Sequence, residues 1–175
     1  MKKLLVIVDM QNDFIDGALG SKEAQAIVPN VVKKISKWTG DVVCTMDTHY
    51  ENYLETREGR KLPVPHCIVE SEGWQVNDLI CVAIKTAKLR TEIFMKETFG
   101  STALAEFIEQ QGYDYIEFVG LCTDICVISN VMLAKAALPE AEIVVDASCC
   151  AGVTPDSHRN ALTAMKSCQV EVVNE

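Results

Sequence analysis

Residues 115–127 read YIEFVGLCTDICV, and this stretch decides the fold of the chain. Its first five residues, Tyr115–Val119, form an apolar run of strand length that ends at Gly120. The stretch leads into Ile125–Leu138, which is apolar on most sides and therefore predicts a buried helix. A buried strand followed at once by a buried helix is typical of a parallel sheet whose strands are joined by helical crossovers.

The same pattern extends along the whole chain. Five further short runs are rich in β-branched residues and nearly continuous rather than alternating, as expected of strands that are buried on both faces. These runs are Leu4–Val8, Val42–Met46, Ile93–Met95, Ile143–Val145 and Val170–Val173. Because helix-like stretches separate them, we predict a mostly parallel, doubly wound α/β sheet with right-handed crossovers.

The helix-like stretches carry start and stop signals. Pro29 suits a first helical position, and Val31, Ile35 and Trp38 follow it at helical spacing, with Ala24, Ile27 and Val28 in an earlier turn. Further predicted helices are Trp74–Lys88, one capped by Ser101 or Thr102 and ended by Gly112, and one opened by Ser157-His158.

Composition narrows the range of functions. The 175 residues suit one domain spanning 1–175, and the net charge of −9 disfavours both nucleic acid and an anionic membrane surface. The first apolar run stops at Asp9 after five residues, shorter than the ~7–15 of a signal peptide. We therefore expect a cytoplasmic protein whose eight cysteines are reduced, most of them packed as small apolar residues.

Chemically active residues follow the predicted strands. Asp9 comes after the first, Asp47 and His49 after the second, Lys96 ends the third, and Cys126 lies shortly after the fourth. In open parallel sheets ligands bind beyond the carboxyl ends of the strands, so these residues share one functional edge. Each of them alone has an ordinary structural explanation, as a packed thiol, a solvated lysine or a turn-forming aspartate.

Taken together, the residues at this edge fit acyl transfer. Cys126 lies in the first turn of the buried helix, where the helix dipole and a nearby ammonium such as Lys96 would lower the pKa of the thiol. Asp9 can then shuttle the proton, and the backbone amides of Cys122 and Cys126 can form an oxyanion hole.

The strings Asp9-Met10-Gln11-Asn12-Asp13-Phe14 and Gly120-Leu121-Cys122-Thr123-Asp124-Ile125-Cys126-Val127, with Lys96 between them, resemble the isochorismatase-like cysteine hydrolases. The resemblance implies a three-layer α/β/α sandwich with a six-stranded sheet. It also implies a catalytic triad of Asp9, Lys96 and Cys126, a cis peptide bond between Leu121 and Cys122, and amide hydrolysis through a thioester.

Within that family, Asp47-Thr48-His49 and Pro65-His66-Cys67 resemble the metal-binding segments of nicotinamidases, which convert nicotinamide to nicotinate plus ammonia in NAD salvage. The implied metal ligands are Asp47, His49 and His66, with Glu58 as the fourth and Glu55 and Glu51 as competitors. A mixed nitrogen and oxygen set suits a divalent metal, Zn, Fe or Mn, with Zn our first expectation. All but Asp47 lie in the polar stretch Thr48–Gly73, and loops of such length are usually functional.

The sequence departs from nicotinamidases before the second histidine. Leu62-Pro63-Val64-Pro65-His66 has no aromatic residue where the family places one against the pyridine ring. Substrate-pocket candidates are Phe14, Phe99 and Leu121, and Trp74 is a further ring within reach of the site. Asp124 and His158 are interpreted as structural, Asp124 as a cap of the buried helix, and Cys149 and Cys150 as packing.

Three functions therefore stay open. The first is a nicotinamidase-like amidohydrolase acting on a small amide. The second is a related hydrolase acting on another small amide, a carbamoyl compound or isochorismate. The third is a thiol redox or binding module, whose expected glycine-rich turn or Cys-x-x-Cys pair is absent. The resemblance also implies assembly into a homo-oligomer.

Overall fold

Six parallel strands form the central sheet of the computed structural model, which describes all 175 residues. The strands are β1 (Lys3–Val8), β2 (Asp41–Asp47), β3 (Thr91–Lys96), β4 (Tyr115–Leu121), β5 (Glu142–Ala151) and β6 (Glu171–Val173). Their order across the sheet is β3-β2-β1-β4-β5-β6, so the winding direction reverses between β1 and β4. The predicted doubly wound sheet is confirmed, with all six predicted strands in place.

Helices cover both faces of the sheet. They are α1 (Asn12–Ile15), α2 (Lys22–Lys37), α3 (Asp78–Thr86), α4 (Thr102–Gln111), α5 (Ile128–Ala137) and α6 (Pro155–Ser167), with a π-helical turn at Thr123–Val127 and a 3₁₀ turn at Tyr53–Glu55. Successive residues of β1 point to opposite faces, so Leu4 packs in the core beneath α4, α5 and α6, and Leu5 in the core beneath α1, α2 and α3. The result is the predicted three-layer sandwich.

The prediction for the first long helix was wrong at its start. Pro29 lies inside α2, which begins after Ser21, whose side chain accepts a hydrogen bond from the Ala24 N–H. A proline within a helix costs about 3 kcal/mol because it removes a backbone hydrogen bond. Burial of the apolar face of α2, which includes Val31 and Ile35, outweighs that cost and keeps the helix continuous.

Two other helix starts also differ from the prediction. The predicted Trp74–Lys88 helix is shorter, because the Asn77 side chain caps its beginning by accepting from the Leu79 N–H. The last helix begins at Pro155, two residues earlier than expected, since Thr154 and Ser157 form a reciprocal capping box. None of the helices is long and apolar enough to span a membrane.

Candidate active site

The candidate site lies where the sheet reverses direction, between the carboxyl ends of β1 and β4. Asp9 directly follows β1, Lys96 is the last residue of β3, and Cys126 lies in the π-helical turn after β4. A cavity of about 730 Å³ opens at this edge, and Cys126 lines it. The fold therefore brings the three residues of the predicted triad together, although they are far apart in sequence.

The triad residues contact one another through the Lys96 ammonium. Lys96 Nζ lies 2.7 Å from Asp9 Oδ2 and 3.6 Å from Cys126 Sγ. All three residues are buried, and Asp9 is entirely inaccessible to solvent. A buried carboxylate is stable only when it is paired and hydrogen-bonded, and the ammonium supplies that pairing here.

The Asp9 carboxylate is fixed by its own backbone and by β2. Asp9 adopts a left-handed conformation with φ of 45°, a region that non-glycine residues seldom occupy and that is enriched at functional sites. The Thr45 hydroxyl donates a 2.6 Å hydrogen bond to Asp9 Oδ1. Sequence reasoning missed Thr45, because a threonine inside a β-branched strand gives no signal of a role beyond the strand.

The turn that carries the nucleophile depends on close packing of β4 against β1. Gly120 has φ of 119°, and a Cβ atom at this position would lie 2.1 Å from the Val8 carbonyl oxygen. One residue further along, the peptide bond between Leu121 and Cys122 is cis, as the resemblance implied. The chain then enters the π-helical turn, where the Asn130 amide donates to the Cys126 carbonyl at 2.8 Å.

Burial changes the acid–base behaviour of the triad. The pKa of the Cys126 thiol is raised, because burial and the Asp9 charge outweigh the opposing Lys96 ammonium. Lys96 lowers this pKa as predicted, but the predicted net direction was wrong, because burial and Asp9 have the larger effect. Burial also raises the pKa of Asp9, although Lys96 acts against it. Burial acts to lower the pKa of Lys96, but the carboxylates of Asp9 and Asp47 raise it further than that, so the ammonium stays charged.

A second polar group adjoins the triad at the end of β2. The ligand atoms of Asp47, His49 and His66 all lie within 4.8 Å of one another, and the three residues are buried. Asp47 Oδ2 lies 2.9 Å from His49 Nε2 and 3.5 Å from His66 Nε2. One carboxylate and two imidazoles are a donor set that can hold a divalent metal.

The surroundings of the two histidines fit a metal. His66 Nδ1 lies 2.8 Å from the Val64 carbonyl, which leaves Nε2 directed at Asp47. His49 Nε2 is buried without a hydrogen bond of acceptable geometry, as expected of a nitrogen that ligates a metal. The centroid of the Tyr53 ring lies 4.8 Å from that of His49 and 5.1 Å from that of His66, and this packing fixes both imidazoles. Tyr53 was not predicted, since it lies in the long loop without a motif.

Among the three candidate glutamates, Glu58 reaches the group. Glu58 Oε1 lies 3.8 Å from His49 Nε2 and 3.9 Å from His66 Nε2. Glu51 and Glu55 are exposed to solvent. The geometry thus favours Glu58 as the fourth ligand.

The cavity is lined by the three predicted pocket residues, Phe14, Phe99 and Leu121. Phe99 is 47% exposed, so its ring forms an outer wall, whereas Phe14 and Leu121 are buried. Leu62 lines the cavity within the segment where nicotinamidases carry an aromatic residue. Trp74 is not among the lining residues, because its indole N–H donates to the Thr48 hydroxyl.

The residues interpreted as structural lie behind the site. His158 Nδ1 is 2.8 Å from the Thr123 hydroxyl, which ties α6 to the π-helical turn. Asp124 does not cap the buried helix, and that prediction was wrong. Its Oδ1 accepts from the Val153 N–H, because the π-helical turn directs the side chain toward the loop after β5. Cys149 and Cys150 are buried, unpaired thiols near the end of β5.

A thiol, an ammonium and a carboxylate that meet at the reversal point of a parallel sheet are the groups of a hydrolase with a cysteine nucleophile. The chain belongs to the isochorismatase family, since the family's domain profile matches residues 3–175. The resemblance drawn from the two motif strings is thereby confirmed.

Proteins similar to this chain are named nicotinamidase or pyrazinamidase. Nicotinamidase/pyrazinamidase from Mycobacterium tuberculosis is 25% identical, and the match covers 98% of each chain. The crystal structure of nicotinamidase/pyrazinamidase from Bacillus subtilis aligns with a TM-score of 0.86 at 25% identity, covering 99% of this chain and 100% of the other. Pyrazinamidase from Pyrococcus horikoshii, solved in complex with zinc, aligns with a TM-score of 0.82 at 28% identity over 100% of both chains.

Proposed function

We propose that this protein is a nicotinamidase-like cysteine amidohydrolase that converts a small amide, nicotinamide first among them, to the acid and ammonia. The observation that carries this proposal is the contact of Lys96 Nζ with both Asp9 and Cys126, directly beside the Asp47, His49 and His66 group. Proteins similar over nearly the whole chain are named nicotinamidase/pyrazinamidase, which supports the same reaction.

The first half of the reaction is acylation of Cys126. In the resting site the thiol keeps its proton, because its pKa is raised. When the amide carbonyl carbon lies about 3–3.5 Å from sulfur, Asp9 takes the thiol proton and sulfur forms the C–S bond. Lys96 stabilises the thiolate and stays protonated throughout. The amides of Cys122 and Cys126 would donate to the oxyanion.

The remaining steps release ammonia and then the acid. Collapse of the oxyanion breaks the C–N bond, and the proton held by Asp9 passes to nitrogen, so that ammonia leaves. Water then attacks the thioester, Asp9 accepts a proton from this water, and the C–S bond breaks. Sulfur regains a proton from Asp9, the acid leaves, and the triad returns to its initial state.

We assign Asp47, His49, Glu58 and His66 as the residues that would hold a divalent metal, with Zn first and Fe or Mn as alternatives. When bound, such a metal supplies Lewis acidity toward a substrate ring nitrogen or a water molecule. Asp47, Glu58 and His66 line the same cavity as Cys126, so a ring held there would place its amide near the nucleophile.

One assay tests the reaction. Purified protein should release ammonia from nicotinamide, Cys126→Ala should release none, and a chelator should lower the rate of the wild type. Absence of release from nicotinamide by metal-loaded protein would contradict the nicotinamidase assignment. His49→Ala should lose bound metal in elemental analysis, and full occupancy in that variant would contradict the ligand assignment.

A related hydrolase with another substrate is the second candidate. Leu62 in place of an aromatic residue gives a pyridine ring one stacking partner fewer. Hydrolysis of other small amides or carbamoyl compounds at rates well above that of nicotinamide would favour this candidate. In either case we propose one domain over 1–175 and a cytoplasmic location, where the Cys126 thiol stays reduced.

A further inference from the structure

The stretch Asp9–Phe14 contains two residues, Gln11 and Asp13, whose side-chain hydrogen bonds the proposed reaction does not use. Gln11 is completely buried, although a glutamine side chain normally reaches solvent. Its amide makes a paired contact with the backbone of one residue: Nε2 donates to the Asp47 carbonyl at 2.8 Å, and Oε1 accepts from the Asp47 N–H at 2.7 Å. Nε2 also donates to the Trp74 carbonyl at 2.9 Å. Gln11 therefore fixes the backbone of a proposed metal ligand.

Asp13 makes the corresponding contact with the second ligand segment. Its Oδ2 accepts a 2.7 Å hydrogen bond from the N–H of Cys67, the residue directly after His66. Its Oδ1 accepts from the Ala18 N–H at 3.1 Å, which holds the carboxylate in orientation. Cys67 has a φ of 45°, so the backbone there bends sharply and needs such an anchor.

Gly73 completes the enclosure of the Asp13 carboxylate. A Cβ atom at position 73 would lie 2.2 Å from Asp13 Oδ2, so a larger residue would displace the carboxylate. The Asp13 N–H also donates to the Gly73 carbonyl at 2.9 Å. The contact between Asp13 and Cys67 thus depends on Gly73, which is uncharged and does not itself contact the proposed ligands.

We propose that Gln11 and Asp13 are positioning residues that hold the two metal-ligand segments in register with Asp9. Asp47 and Cys67 are twenty positions apart along the chain, yet they are anchored by two residues that lie two positions apart. Because Asp9 lies two residues before Gln11 in the same short stretch, one segment sets the geometry of both the triad and the metal group. This inference rests on the metal assignment of the proposed function.

The test is the zinc affinity of metal-free protein, measured by competition with a chromogenic chelator. The variants are Asp13→Asn, which keeps the shape but presents an amide to the Cys67 N–H, Gly73→Ala, and Gln11→Met. Asn12→Ala is the matched control, since the Asn12 side chain donates to the Glu72 carbonyl and not to a ligand segment. Loss of such supporting contacts typically weakens metal affinity about 10- to 100-fold.

We expect the three test variants to bind zinc about 10- to 100-fold more weakly than wild type and Asn12→Ala to bind within about twofold of wild type. In metal-free Asp13→Asn, alkylation of Cys126 should keep its wild-type rate, which a general loss of structure would not allow. Unchanged zinc affinity in Asp13→Asn and Gly73→Ala, with wild type binding one zinc, would overturn the positioning role alone. Wild type that releases ammonia but binds no zinc would overturn the metal assignment together with this inference.

Discussion

Removal of the Lys96 ammonium is the sharpest test of the proposed chemistry. Nζ lies 3.6 Å from Cys126 Sγ, and two unit charges at that distance attract by about 4–5 kcal/mol at an effective dielectric constant of about 20. That energy corresponds to a factor of roughly 1,000 in the acid dissociation of the thiol. Without the ammonium Asp9 takes up a proton more readily, which offsets part of the loss. We therefore expect Lys96→Met to slow alkylation of Cys126 about 100- to 1,000-fold.

The assay is alkylation by iodoacetamide near neutral pH, followed by mass spectrometry of each cysteine peptide. Cys168 is exposed and serves as the internal reference, since its rate should not change. Alkylation of Cys126 at the wild-type rate in folded Lys96→Met would refute the assignment of Lys96 as the group that stabilises the thiolate.

Loss of stability must be separated from loss of chemistry in this variant. Lys96→Met leaves the buried Asp9 without its ammonium, and breaking a buried pair on one side costs about 3–5 kcal/mol. The double variant Asp9→Asn/Lys96→Met removes both charges and should recover much of that stability in urea unfolding. Alkylation of Cys126 should stay slow in the double variant, because the charge that stabilises the thiolate is still missing.

Three further predictions address the pocket, the strand packing and the pH dependence of stability. Leu62→Phe should lower the KM for nicotinamide about 2- to 10-fold by adding a ring to the cavity wall, as measured by ammonia release. Gly120→Ala should destabilise the fold by more than about 3 kcal/mol in urea, because its Cβ would clash with the Val8 carbonyl, whereas Gly112→Ala, which meets no neighbour, should cost about 1 kcal/mol. Burial acts to raise the pKa of Asp146, but hydrogen bonds from Lys34 and Ser148 hold it below its usual 3.8. The ionised Asp146 therefore stabilises the folded state above pH 3.8, and this stabilisation is lost as the pH falls from 3.8 through the lower pKa of the folded protein. Wild type should lose stability more steeply than Asp146→Asn below about pH 4.

The residues at the strand ends could be predicted from sequence because parallel topology fixes where they meet. Once β1, β3 and β4 are recognised as parallel strands, Asp9, Lys96 and the turn before Cys126 must share one edge of the sheet. The same logic placed Asp47 beside them. This placement depends on the order of the strands and not on the distance between the residues along the chain or on the residue before His66.

What the sequence did not reveal depends on contacts between distant segments. Thr45 is a strand residue by its pattern, and only the pairing of β2 with β1 brings its hydroxyl to Asp9. Gln11 belongs to a quoted motif, but its partner Asp47 is thirty-six positions away. The thiol pKa was predicted in the wrong direction because burial of Cys126 is a property of the assembled layers and not of the helix terminus.

The triad and the metal group share one carboxylate, and this sharing explains why the chain keeps them on neighbouring strands. Asp47 Oδ1 lies 3.4 Å from Lys96 Nζ, while its Oδ2 faces His49 and His66. The carboxylates of Asp9 and Asp47 both face the Lys96 ammonium, at 2.7 Å and 3.4 Å. A displacement of Asp47 would therefore disturb the metal group and the counter-ion of Lys96 at once. The paired hydrogen bonds from Gln11 to the Asp47 backbone act on the residue where both functions meet.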